Sequence, residues 1–205
     1  ELLAHGCKNL GWHINNAKRY GLPVVIAINR FPTDSDEELD YLRSFALSCG
    51  ADGVEISDAF AAGGEGTAKL AKVVTQACQK QHQVTLLYPD EMSLTDKIKA
   101  IVNTYGANNT LFTPEAVSQL TQLEKLGFGH LPLCIAKTPL SISADPTLKN
   151  VPENFDVTIS SFKVSAGAGF IRAYAGNIMT MPGLGTLPAY RNIDIDDQGE
   201  IVGLS

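Results

Sequence analysis

The sequence predicts an α/β protein with a parallel sheet, and three observations predict it. Pro23 to Ile28 is a continuous apolar run rich in β-branched residues, the pattern of a strand covered on both faces. Amphipathic helical stretches alternate with further short apolar runs, Val54 to Ile56 and Val84 to Leu87, the second about 30 residues after the first, as βαβ units require. From about residue 139 the texture changes to Pro, Ser, Asn and Gly between short β-type runs, which predicts a C-terminal mixed α+β appendage. The expected division is therefore an α/β segment over 1–138 and a mixed strand-and-loop segment over 139–205.

In chain order, Leu3, Cys7, Leu10, Ile14 and Ala17 recur at helical spacing, and Gly21 with Pro23 supplies a stop, so a helix is expected over 3–20. The strand at 23–28 follows. Thr33 to Asp36 offers capping side chains for a helix carrying Leu39, Leu42, Ala46 and Cys49 and ending at Gly50. After Val54 to Ile56, a loop runs through Gly63 to Gly66 into a helix with Leu70, Val73, Val74 and Ala77. Val84 to Leu87 is the third expected strand. Ser93 caps a helix with Ile98, Ile101 and Tyr105, closed by Gly106. Thr113 and Pro114 open another, closed by Gly127. Leu131 to Ala136, Phe155 to Ile159, Phe170 to Ala173 and Ile178 to Met181 are the remaining strand candidates.

Composition narrows function. With 205 residues and 44% hydrophobic content, the chain can bury a substantial core. A formal charge of -6 and a pI near 5.2 argue against nucleic acid as partner, because phosphate backbones are bound by clustered Lys and Arg. The longest apolar runs fall far short of the roughly 20 residues of a membrane helix. Cys7, Cys49, Cys78 and Cys134 form no CxxC pair, which fits free thiols in a reducing, cytoplasmic setting. Cys49 and Cys78 sit on apolar stripes and are expected to be buried. The start at Glu1, without Met or a leader pattern, reads as the interior of a longer sequence.

In a parallel sheet, ligands bind beyond the carboxyl ends of strands, so the loops after Ile28 and Ile56 are the first candidates for a site. The first loop presents Asn29, Arg30, Phe31, Pro32, Thr33 and Asp34. The second runs from Ser57 and Asp58 through Phe60 to Glu65 and Gly66. Phe31 and Phe60 either face a common slot that stacks on a flat ligand, or each plugs its loop onto the core. Gly63 to Thr67 is a weak anion-cradle pattern, since no Lys-Ser or Lys-Thr completes a phosphate loop, and tight turns account for it better. Ser165 to Gly169 is not a dinucleotide fingerprint either. Asp194, Asp196 and Asp197 read as a turn before the last strand. The four histidines show no catalytic or metal pattern.

Several of these stretches, in order along the chain, resemble formate tetrahydrofolate ligases. They are Ala27 to Asp34, Gly63 to Gly66, Leu126 to Gly129 with Leu131 to Lys137, Val164 to Phe170, and Ile178 to Leu184 with Asn192 to Ile195. The resemblance implies a partial nucleotide-binding-type α/β core. It implies an enzyme that joins formate to tetrahydrofolate with ATP through formyl phosphate, giving 10-formyltetrahydrofolate, ADP and phosphate. It further implies Mg with ATP, a monovalent cation, and a cytoplasmic homo-oligomer with small-molecule substrates. Phe31 and Phe60 are then the ring-stacking pair, with Pro32 and Ile56 beside them. Asn29, Arg30, Thr33, Asp34, Ser57 and Glu65 form the supporting polar loops. The family usually carries Trp where this chain has Phe60, which removes an indole N–H donor. The family's phosphate loop is expected upstream of Glu1, so the chain alone is expected not to turn over. The alternative is a stand-alone, non-catalytic module that binds folate or nucleotide or serves oligomerisation.

Overall fold

The structure, a computed structural model, describes residues 1–176, 178 and 186–204. It is a mixed α/β fold with one parallel and one mixed sheet, plus a short C-terminal hairpin. Helix α1 (Leu2–Lys18) leads to β1 (Val25–Asn29), α2 (Asp36–Ser48) and β2 (Gly53–Ser57), and β1 and β2 pair in parallel. The cap expected near Thr33 is Ser35. Its hydroxyl accepts from Glu38 N while the Glu38 carboxylate accepts from Ser35 N, a reciprocal box that satisfies two orphan donors. A one-turn helix α3 (Ala59–Ala62) and a 3-10 turn at Glu65–Thr67 precede α4 (Ala68–Cys78). The helix α4 lies so close on β2 that a Cβ at Gly53 would sit 2.3 Å from the Val73 side chain. Ile14, Ile28, Leu39, Ala46, Ala51 and Val54 form the core of this part.

The second part is built on α5 (Leu94–Thr104), β3 (Asn109–Phe112), α6 (Pro114–Lys125), β4 (Leu133–Ala136), β5 (Asp156–Ser165) and β6 (Phe170–Ala175). Ser93 and Thr113 cap α5 and α6 through Asp96 N and Ala116 N, as their positions predict. The strands run in the order β3-β5-β6-β4, with β5 and β6 antiparallel and the two outer pairs parallel. This sheet takes strands from both sides of residue 139. Its core holds Leu94, Ile98, Val102, Val157, Ile159 and Ile171. The hairpin β7 (Asp194–Ile195) and β8 (Ile201–Val202) turns at Asp196, whose carboxylate accepts from Gln198 N and Glu200 N, so the Asp cluster is the turn it was read as. No described helix is long and apolar enough to cross a membrane.

Three expectations are corrected. Val84 to Leu87 is not a strand: Thr85 N donates to Tyr20 O, no ladder forms, and Val84 and Leu86 are exposed. Leu86 and Leu87 line a cavity wall instead, a use that an apolar run does not distinguish from a buried strand. A strand forms at Asn109–Phe112, where none was expected, because β5 pairs with it from 47 residues away in register Asn109 with Asp156. Cys78 is exposed and Cys49 half-buried, and only Cys7 is fully inside; all four are free thiols. The candidate at Ile178 to Met181 lies, except for Ile178, outside the described residues.

Asp52 ties the first part together. Its carboxylate accepts from Lys80 at 2.7 Å, from Val24 N at 2.9 Å and from Lys18 at 3.3 Å, joining the ends of α1 and α4 to the start of β1. These bonds, the Lys80 contact foremost, hold its pKa down at about 2. A depressed carboxylate stabilises the fold fully above its unfolded value near 4, and that stabilisation is lost as pH falls through the folded value. Asp52→Asn is therefore expected to lower stability at pH 7 by about 1 kcal/mol after solvent screening. In urea unfolding, the gap between variant and parent midpoints should shrink as pH falls from about 4 toward 2.

Candidate functional site

Because Asn29 stands opposite Ser57 in a parallel pair, the two candidate loops leave the same end of β1 and β2. Arg30 N donates to Ser57 O at 3.0 Å and carries the ladder one residue into the first loop. There Phe31 is clamped at both backbone ends. Its N–H donates to the Asp34 carboxylate at 2.8 Å, and its carbonyl accepts from Asp34 N at 3.0 Å. Pro32 and Thr33 form the exposed tip of that turn, and Arg30 pairs with Asp36 at 3.5 Å across exposed surface. Asp34 thus serves the turn. The Phe31 ring, held by this frame, is 63% exposed.

The second loop is closed by Asp58 N donating to Gly66 O at 3.1 Å, with α3 spanning the interval. Gly63 takes φ +55 to reverse the chain after α3, and Gly66 lies against the Asp58 carbonyl so tightly that a Cβ would meet it at 2.3 Å. The tight-turn reading of the glycine stretch is the one these contacts support. Phe60 projects from the outer side of α3, fully exposed at 102%. Neither ring plugs its loop onto the core, and the two do not touch each other. Ser57 is buried beneath the loops and Ile56 half-buried, while Asn29 and Glu65 are exposed.

Two bare aromatic faces on neighbouring loops, with amide, guanidinium and hydroxyl groups beside one of them, suit a flat, hydrogen-bonding ring system. Exposed aromatics of this size are costly to leave in water and commonly mark a binding surface. Beneath them, Arg43 donates to Val54 O and to the Glu55 carboxylate, both at 3.0 Å, pinning α2 to β2. Glu55 also accepts from Ile56 N, and that bond, followed by Arg43, lowers its pKa.

Sequence reasoning missed two lysines and the space between them. Lys97 is fully buried and donates to the carbonyls of Gly129 and Leu131 at 3.0 and 3.2 Å. Its place three residues after Leu94, on the apolar stripe of α5, was the available signal. Lys137 follows β4 and, with Tyr105 and the 86–88 segment, borders a cavity of about 580 Å³. Among the described residues, no three His, Cys, Asp or Glu side chains converge as a metal site.

The fold and loops define an α/β protein whose paired parallel strands carry exposed rings at their carboxyl ends. Compared with known proteins, the chain matches the family model described as "Formate--tetrahydrofolate ligase" over residues 1–205. It is 61% identical over 204 residues to the formate tetrahydrofolate ligase of Yersinia enterocolitica serotype O:8 / biotype 1B, covering 100% of this chain and 35% of that protein. The Aeromonas hydrophila subsp. hydrophila ligase is 58% identical over 99% of this chain and 35% of its own length, and the Aliivibrio fischeri ligase 52% over 100% and 36%. The chain belongs to the formate tetrahydrofolate ligase family. It spans about a third of the length of these relatives.

Proposed function

We propose that these residues form the ring-binding side of a formate tetrahydrofolate ligase, with Phe31 and Phe60 stacking on the flat ring of tetrahydrofolate. The observation that carries this reading is the exposure of both rings on loops leaving one end of a register-matched strand pair. Pro32 and Ile56 flank the rings, while Asn29, Arg30 and Thr33 offer polar contacts to the ring edge. Asp34 and Ser57 hold the loops, and Glu65 stands at the start of the 3-10 turn. The whole protein would condense formate and tetrahydrofolate with ATP through formyl phosphate, in the cytoplasm and as a homo-oligomer. Transfer of a phosphoryl group needs cationic groups aimed at the charge that develops. None of the described loops here supplies a phosphate loop, so Mg-ATP and formyl phosphate fall to other parts of the protein, and this chain by itself does not turn over.

Phe60→Trp tests the slot. The larger face and its N–H donor are expected to tighten tetrahydrofolate by about threefold to tenfold, given roughly 0.5 to 1.5 kcal/mol per aromatic contact. Fluorescence of the new indole, against the single native Trp12, reads it. An indole signal that tetrahydrofolate leaves unchanged contradicts the placement of residue 60 in the slot.

A further inference from the structure

We propose that the cavity bounded by β4, α5 and the 86–88 segment binds a flat, apolar small molecule carrying one anionic group, the anion lying at Lys137. None of the ring-slot residues lines this cavity. Its volume, about 580 Å³, is that of a site for a small organic ligand rather than a packing defect.

The walls explain the apolar body. In the strand order β3-β5-β6-β4, β4 pairs only with β6 among the described strands, so its second edge is open. The Tyr88 hydroxyl caps that edge at Leu133, whose N–H donates to it at 3.0 Å. Beyond this cap the edge has no such partner. Ile135 of β4, Leu86 and Leu87, Ile101 of α5 and Tyr105 at the C-terminal cap of that helix supply the apolar lining.

The polar groups explain the anion. Lys137 Nζ donates to the carbonyls of Thr138 at 3.2 Å, Ser143 at 3.3 Å and Ser141, and lies 5.5 Å over the Tyr105 ring. These partners are neutral carbonyls and contribute no negative charge, so an anion beside them is drawn by the charge of the ammonium. No carboxylate among the described residues pairs with it, and Asp90, the one carboxylate of the lining, is not an exception. Half-burial lowers the Lys137 pKa with no counter-ion to offset it. An uncompensated ammonium in a desolvated site favours an anionic partner. Tyr20 and Tyr105 line the same space, and their hydroxyls, unlike that of Tyr88, make no hydrogen bond to a described residue.

Cys134, an exposed free thiol on the β4 wall, gives a direct readout, and Cys78, exposed at the end of α4 and outside the lining, serves as internal control. The full chain is alkylated with iodoacetamide in the presence of 2-naphthoate or neutral 2-naphthamide, and each cysteine is followed by peptide mass spectrometry. Saturable slowing at Cys134 but not Cys78 is expected, with naphthoate effective at about fivefold lower concentration than the amide. In Lys137→Met the two probes should become equivalent. Equal protection by both probes on the unaltered chain, protection unchanged by Lys137→Met, or no protection at Cys134 overturns the proposal. The comparison of probes on the unaltered chain stands even where the variant misfolds.

Discussion

Lys97→Ala is expected to destabilise the second part of the fold by about 3 to 5 kcal/mol. The side chain is fully buried, and its ammonium supplies the donor for two carbonyls, Gly129 and Leu131, in the turn that leads into β4. It also lies 5.8 Å over the Tyr88 ring, whose hydroxyl caps the edge of β4. Truncation removes these contacts together, leaves two carbonyls without a partner, and opens a void beside Leu94 and Ile98. Lys97→Met retains most of the volume and loses only the donor, so its cost should be about 2 kcal/mol. The ordering is read as a fall in urea midpoint at unchanged slope, with alanine the worse of the two.

Gly66→Ala should cost the ring site far more than its single added methyl suggests. Its new Cβ would lie 2.3 Å from Asp58 O and 2.6 Å from Asp58 C, which are backbone atoms that cannot swing away. The loop must open at the Asp58 N to Gly66 O bond, and the α3 turn bearing Phe60 moves with it. Relief of this kind costs about 1 to 3 kcal/mol, felt as lost stability, as displaced Phe60, or as both. Tetrahydrofolate affinity is expected to fall by more than about tenfold while the far-ultraviolet spectrum is kept. Gly64→Ala is the matched control. It sits two residues earlier at φ -62 with nothing within 4 Å of the added carbon, so it should leave both stability and binding unchanged.

What was legible in the sequence was local chemistry. Ser93 and Thr113 cap the helices they were expected to cap because a hydroxyl reaching a backbone N–H three residues on is a short-range event. β1 announced itself through an uninterrupted β-branched run. β3 did not, since four residues between two helices become a strand only when β5 supplies a parallel partner from far along the chain. Val84 to Leu87 erred in the other direction: Leu86 and Leu87 line a cavity beside β4, and hydrophobicity alone does not say which surface a run meets. The position proposed for the ring site follows from the rule that ligands gather at strand ends. The exposure of Phe31 and Phe60 did not, because whether a loop ring turns inward or outward depends on contacts such as the Asp34 clamp. No pattern in the sequence singled out Lys97 or Lys137, and only the three-dimensional packing places Lys97 inside and Lys137 half-buried beside the cavity.

The most direct test of the ring-slot account is calorimetric titration of tetrahydrofolate into the 205-residue chain, paired with Phe31→Ala. Phe31 is held to Asp34 through its own N–H and carbonyl, not its ring, so the variant removes the ring and leaves the turn intact. Saturable binding by the parent, weakened at least about tenfold in Phe31→Ala, is the result expected of a stacking slot. Binding that Phe31→Ala leaves unchanged, or no binding by the parent chain, would contradict the claim that these two loops hold the folate ring.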